Sequence, residues 1–274
     1  MKQGEMVMAR SVSTREIRVG SRITSPVLWS IAVYLVWTLA TYALEGRVNL
    51  LQQPTIAGRY TYVLIANVLI GTIWAFWVLR SLLSSQAVSL TQMGFRSLGR
   101  TAVTIAIALG IGGGYLFFVR PPTWSLLVII NGYTQVLTVS IAEIVVCWAL
   151  VGTTFELLTK SKGKPLSLLA GILAATLLFA VYHVGHSAPF NQIRMMLILL
   201  MPGIMTSLFY FISREIYATI LFHNFQGTFG VLSNLKNPEL LDRPLYPLYS
   251  LVLLAVAGLI IADRFLARRA TRED

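Results

Sequence analysis

The chain has 274 residues, of which 56% are hydrophobic and only 12% charged, with a formal net charge of +11. A soluble domain of this size carries roughly a quarter charged residues, so a water-facing surface over the whole chain is excluded. One cysteine, Cys147, excludes an internal disulfide and any cysteine-based metal cluster.

The apolar runs are long enough to cross a bilayer, which takes about 20 mostly apolar residues. In chain order they fall near 26–44, 61–83, 102–119, 124–151, 166–185, 194–212, 215–232 and 245–263. The fourth is long enough to tilt, break or begin with a re-entrant stretch. The sixth and seventh leave room only for a tight turn at Ser213-Arg214-Glu215. No short alternating segments recur, so a β-barrel is not expected. The reading is an all-α polytopic membrane protein, a bundle of about eight transmembrane helices. A basic N-tail (1–25) precedes the helical domain (26–263), and a basic C-tail (264–274) follows it.

The Lys and Arg residues give an orientation. With the N-terminus inside and eight crossings, sixteen of the 22 fall on the cytoplasmic side. They are Lys2, Arg10, Arg15, Arg18, Arg22, Arg80, Arg96, Arg100, Lys160, Lys162, Lys164, Arg214, Arg264, Arg268, Arg269 and Arg272. The other six are Arg47, Arg59, Arg120, Arg194, Lys236 and Arg243. Both termini are therefore read as cytoplasmic, in a cell (plasma) membrane. The cations sit beside helix ends, which suits anionic lipid headgroups as partners and argues against nucleic acid. The first span lies behind a basic tail, but its length favours an uncleaved anchor over a signal peptide. Gly110, Gly112, Gly113 and Gly114 include a small-xxx-small spacing that permits close helix packing.

Ionisable residues at membrane depth are costly and mark candidate sites. Most acids, Glu45 and Glu156 among them, read as tails or loops. Glu143 alone has long apolar sequence on both sides. The three histidines, His183, His186 and His223, all lie in the final third, in or beside predicted spans. Glutamate with histidines can activate water for hydrolysis, bind a metal or relay protons, and periodicity does not choose among these. His186, followed by Ser187, Pro189 and Asn191, is read as lying in an interfacial loop. The charge count puts His183 near the non-cytoplasmic end of its helix and Glu143 nearer mid-membrane. A broken fourth span would bring the two to one depth.

The order of Glu143, Phe179-Ala-Val-Tyr-His183 and His223 resembles the CPBP family of CAAX proteases and bacteriocin-processing enzymes, over about residues 130–235. The family pattern is Glu-Glu-x-x-x-Arg, Phe-x-x-x-His and His-x-x-x-Asn or Asp. Here Ala142 and Cys147 stand where the first glutamate and the arginine are expected, and Gly227 stands at the Asn or Asp. The resemblance implies an intramembrane endopeptidase that hydrolyses a peptide bond of a membrane-anchored protein or peptide. Glu143, His183 and His223 would be catalytic, with position 142 the expected site of a catalytic glutamate. Gln226, at i+3 from His223, would replace the missing amide. Phe179 and Asn224 would contact substrate. Described both as metal-dependent and as glutamate-type, the family also implies His183, His223 and His186 as ligands of a divalent metal such as zinc. Three explanations fit Ala142: Glu143 serves as base after a small helix shift, the chain is a non-catalytic relative, or the alanine was introduced. A binding or scaffold protein is the alternative function, with a proton-coupled transporter third.

Overall fold

The computed structural model describes residues 27–51, 55–85, 88–234 and 241–267. Most of the two basic tails lies outside the described residues. Eight helices follow in chain order: α1 (Val27–Gly46), α2 (Ile56–Ser84), α3 (Leu98–Val119), α4 (Leu126–Leu158), α5 (Lys164–Tyr182), α6 (Ile193–Ser213), α7 (Ile216–Ser233) and α8 (Tyr246–Ala267). Among the described residues, seven of them are long and apolar enough to span a membrane; α7, read from the sequence as a spanning segment, is a helix of 18 residues that is not among the seven. No strand occurs among the described residues. The chain is an all-α polytopic membrane protein, and each helix lies within a few residues of a predicted span.

The centre of the bundle is α4. From Ile141 to Val151 it is shut off from the surface on every side, whereas α1, α3 and α6 expose one apolar face each. A helix that is apolar all round belongs in the middle, and helices with one exposed apolar face belong against lipid. Lipid is as apolar as leucine, so close packing and interhelical hydrogen bonds hold such helices together. Gly152 on α4 and Gly171 on α5 supply the closeness: a Cβ on Gly171 would meet the Gly152 carbonyl oxygen at 2.9 Å. Of the glycines on α3, Gly112 packs against the Phe225 ring, while Gly110, Gly113 and Gly114 meet nothing within 4 Å.

Of the options open to the long fourth span, a break is not the one taken. α4 runs unbroken for 33 residues, changing from α to wider π winding at Ile144, directly after Glu143. A π segment inside an α-helix is frequent at functional sites. The α5 end is pinned just before His183, because Tyr182 stacks on Trp37 with ring centroids 3.7 Å apart. The Tyr182 hydroxyl reaches Thr41 at 3.1 Å and Tyr62 at 3.3 Å.

The eight antiparallel helices give the bundle two ends. One gathers the start of α1, the α2–α3, α4–α5 and α6–α7 connections and the end of α8. It is tied by Ser30–Thr154 at 3.2 Å and by a two-pronged Arg214–Glu156 pair at 2.5 and 2.8 Å. The other gathers the α1–α2, α3–α4, α5–α6 and α7–α8 connections. Asn131 there donates to the Leu241 and Arg243 carbonyls at 2.7 and 2.8 Å.

Candidate active site

Three helices place one ionisable side chain each around a common point. Glu143 on α4 is buried, and so are His183 at the end of α5 and His223 on α7. The His223 Nε2 lies 3.1 Å from Glu143 Oε2, and the His183 Nε2 lies 3.7 Å from Glu143 Oε1. The predicted trio is thus brought together across 80 residues of chain.

The far ring nitrogens decide what each imidazole does. His183 Nδ1 is 2.9 Å from the Phe179 carbonyl, which can only accept, so Nδ1–H donates there. In the neutral ring, Nε2 is then a bare lone pair turned toward Glu143. At His223 the roles are reversed. A carboxylate only accepts, so Nε2–H donates to Glu143, and Nδ1 accepts a hydrogen bond from the Thr206 hydroxyl at 2.9 Å. Phe179 stands edge-on to both rings, at 4.8 and 5.0 Å between centroids, and holds the two imidazoles apart. The Phe-x-x-x-His spacing accounts for the contact with His183, because residues i and i+4 share a helix face, and the packing of α7 supplies the contact with His223.

His186 is also drawn into the site, although it follows the end of α5. Its ring lies 5.1 Å from that of His183. Its Nδ1 is 3.2 Å from Glu45 Oε2 on α1, while its Nε2 is buried without a hydrogen-bond partner. Glu45 was read as a loop acid. It proves to be buried at the end of α1, accepting from the Ser187 N–H at 2.8 Å and the Ser187 hydroxyl at 2.5 Å. Nothing in the local sequence signals this, since only the fold brings α1 against residues 185–187. All three histidines therefore have Nδ1 engaged by a fixed group.

A cavity of about 180 Å³ opens beside these residues, with Glu143, His183, His186, His223, Phe179, Gln226 and Glu45 on its wall. That far exceeds the space one water needs. Both polar atoms of the Gln226 side chain are buried and lack partners, so its amide is free to bind what enters. Arg59 and Tyr62, missed in the sequence, add to the polar lining, as do Thr134, Gln135 and Thr138 on α4.

Two sequence expectations are corrected by the packing. Ala142 does not line the cavity. It is fully buried, and its Cβ lies 2.6 Å from where a Cβ on Gly71 would stand, against α2 and Trp37. Neighbouring helix positions differ by about 100°, and it is position 143 that faces the histidines. Asn224 does not line the cavity either. Its amide links α7 to α4, accepting from Ser140 at 3.1 Å and donating to the Tyr133 carbonyl at 3.0 Å. Gly227 does line it, and a Cβ there would meet a Val136 methyl group at 2.7 Å, so a larger residue at that position has to push the Val136 side chain aside.

The expected ligand set changes as well. Glu143, His183 and His186 offer ligand atoms within 4.8 Å of one another, while His223 spends its Nε2 on Glu143. Two imidazole lone pairs and a carboxylate are a chemically suitable donor set for a divalent ion.

Residues 151–229 match the family model described as Rce1-like, type II CAAX prenyl endopeptidase Rce1-like. The match agrees with the CPBP likeness read from the motifs. It spans both His183 and His223 and begins after Glu143. No curated protein and no solved structure matches the chain.

Proposed function

We propose that this chain is an intramembrane endopeptidase that hydrolyses a peptide bond of a membrane-anchored protein or peptide. The observation that carries the reading is the facing of two acceptors, Glu143 Oε1 and His183 Nε2, across 3.7 Å on the wall of a cavity inside the bundle. Such a pair calls for hydrogen between its members. A water that donates one hydrogen to each keeps its lone pair turned into the cavity.

Hydrolysis then follows with atoms accounted for. Glu143 takes a proton from the water as its oxygen bonds to the peptide carbonyl carbon. The Gln226 amide donates to the carbonyl oxygen as it becomes negative. The C–N bond breaks, and Glu143 passes its proton to the leaving nitrogen, giving a carboxylate and an amine. The His223 N–H holds the carboxylate in place, and Thr206 fixes the His223 ring. On this reading Glu143 is the site's glutamate, and Ala142 is a packing residue rather than a lost catalytic one.

The donor set of Glu143, His183 and His186 also fits a divalent cation, which when bound would polarise the carbonyl and acidify a bound water. Metal content of the purified protein separates the two forms. A stoichiometric ion lost in His183→Gln and His186→Gln assigns the chemistry to the metal.

The substrate class follows from the site's setting within lipid and from the prenyl endopeptidase description of the matched family. Anionic lipids are the expected partners of the cationic helix ends. The test is single replacement of Glu143, His183 and His223 by Gln, with helix content and a reporter peptide both measured. Loss of cleavage in folded protein supports the enzyme. Substrate binding by a wild-type protein that never cleaves supports a scaffold, and flux that follows a proton gradient supports a transporter.

A further inference from the structure

The cavity has a direction. Relative to the layer holding Glu143 and His223, its described lining residues come from one end of the bundle. They include the beginning of α2 (Arg59), the α5–α6 connection (Phe190), the far part of α7 (Val231) and the beginning of α8 (Leu248). In the opposite direction the way is closed. The fully buried Trp148 donates to Ser207 at 2.8 Å, Thr153 and Tyr210 meet at 3.4 Å, and the Arg214–Glu156 pair lies beyond. The closed end is the one from which both chain tails leave.

The Lys and Arg residues divide along the same axis. In the sequence, sixteen lie in the tails, connections and helix ends that adjoin the closed end, and six in those that adjoin the open end. Short cytoplasmic connections carry the excess of Lys and Arg in membrane proteins. We infer that the cavity opens toward the non-cytoplasmic face of the membrane. Its substrate is then a bilayer-anchored chain whose cleavable segment lies on that face, not one held on the cytoplasmic leaflet. The word substrate rests on the protease reading, but the direction of the opening does not. The one arginine or lysine on the described cavity wall, Arg59, belongs to the open-end group and stands where such a chain enters.

Two exposed positions outside the cavity report on the two ends: Asn191 in the α5–α6 connection and Ser161 in the α4–α5 connection. Cys147 is fully buried and is the chain's one cysteine, so the unmodified protein is the blank. The full chain carrying Asn191→Cys or Ser161→Cys is expressed in a bacterial inner membrane. Intact spheroplasts are treated with a membrane-impermeant maleimide, before or after lysis. The expected result is labelling of Asn191→Cys before lysis and of Ser161→Cys only after it. Labelling of Ser161→Cys before lysis, or of Asn191→Cys only after it, overturns the inference. Cleavage is not read, so a catalytically dead protein leaves this result standing, and a failed topology leaves the Glu143 test standing.

Discussion

The closed end of the bundle and the layer holding Glu143 use carboxylates in opposite ways. At the closed end, Glu156 is gripped by both prongs of Arg214, and Glu215 accepts from Thr101 at 2.8 Å and from the Ala218 N–H at 2.6 Å, capping α7. These acids hold helix ends together. On the open side of the bundle, Glu143 faces an imidazole lone pair, and the His186 Nε2 and the Gln226 amide have no partner. Buried polar groups are nearly always satisfied, and the exceptions call for an explanation. The lesson is that burial alone does not mark a functional acid. What distinguishes Glu143 is the unfinished hydrogen bonding around it.

That contrast can be broken by mutation, and the largest effect is expected at the open end. Glu143→Gln removes the proton acceptor and lowers kcat/KM by about 100-fold or more, the usual range for general acid–base catalysis. Its melting temperature stays close to that of the wild type, as thermal unfolding in detergent checks. Ala142→Glu is next. It forces a carboxylate against Gly71 and Trp37, and overpacking with an unpaired charge costs roughly 3 kcal/mol. It yields less folded protein and no gain in cleavage per folded molecule. A gain would mean that position 142 reaches the cavity.

At the closed end the signs reverse. Arg214→Met leaves Glu156 without its guanidinium and costs about 1.5–3 kcal/mol of stability, as for a hydrogen bond to a charged group. Cleavage per folded molecule is unchanged. The smallest effect is at Glu215, outside the spanning segments. Burial raises its carboxyl pKa, with the hydrogen bonds from Ala218 and Thr101 opposing. A carboxyl raised in the folded state loses stability as pH rises through its folded value. Glu215→Gln is therefore slightly more stable than the wild type at pH 7, and the gap closes as pH falls. Melting curves of the two proteins from mildly acidic pH up to pH 7 measure it.

Much of the fold was legible in the sequence because spanning a bilayer leaves a simple mark, a run of apolar residues of fixed length. All eight runs correspond to helices, displaced by a few residues. The site was legible in part. Phe179 and His183 declare themselves at i and i+4, and Glu143 stands out as an acid in apolar sequence. Which neighbour faces the cavity was not legible. Positions 142 and 143, and 224 and 226, are equally allowed by composition. The rotation of α4 against α2, and of α7 against α4, decides between them. Glu45 was hidden for a related reason: an acid at a helix end looks like a loop acid until another loop closes over it.

The central claim is that water held by Glu143 and His183 cuts a peptide bond. It is tested most directly by incubating the purified full chain with a membrane-anchored peptide in ¹⁸O-water, followed by mass spectrometry of the products. The wild type should release two fragments with one ¹⁸O in the new carboxylate, and Glu143→Gln, folded to the same extent, should release none. Equal cleavage by the two proteins, or an intact peptide with both, contradicts the account.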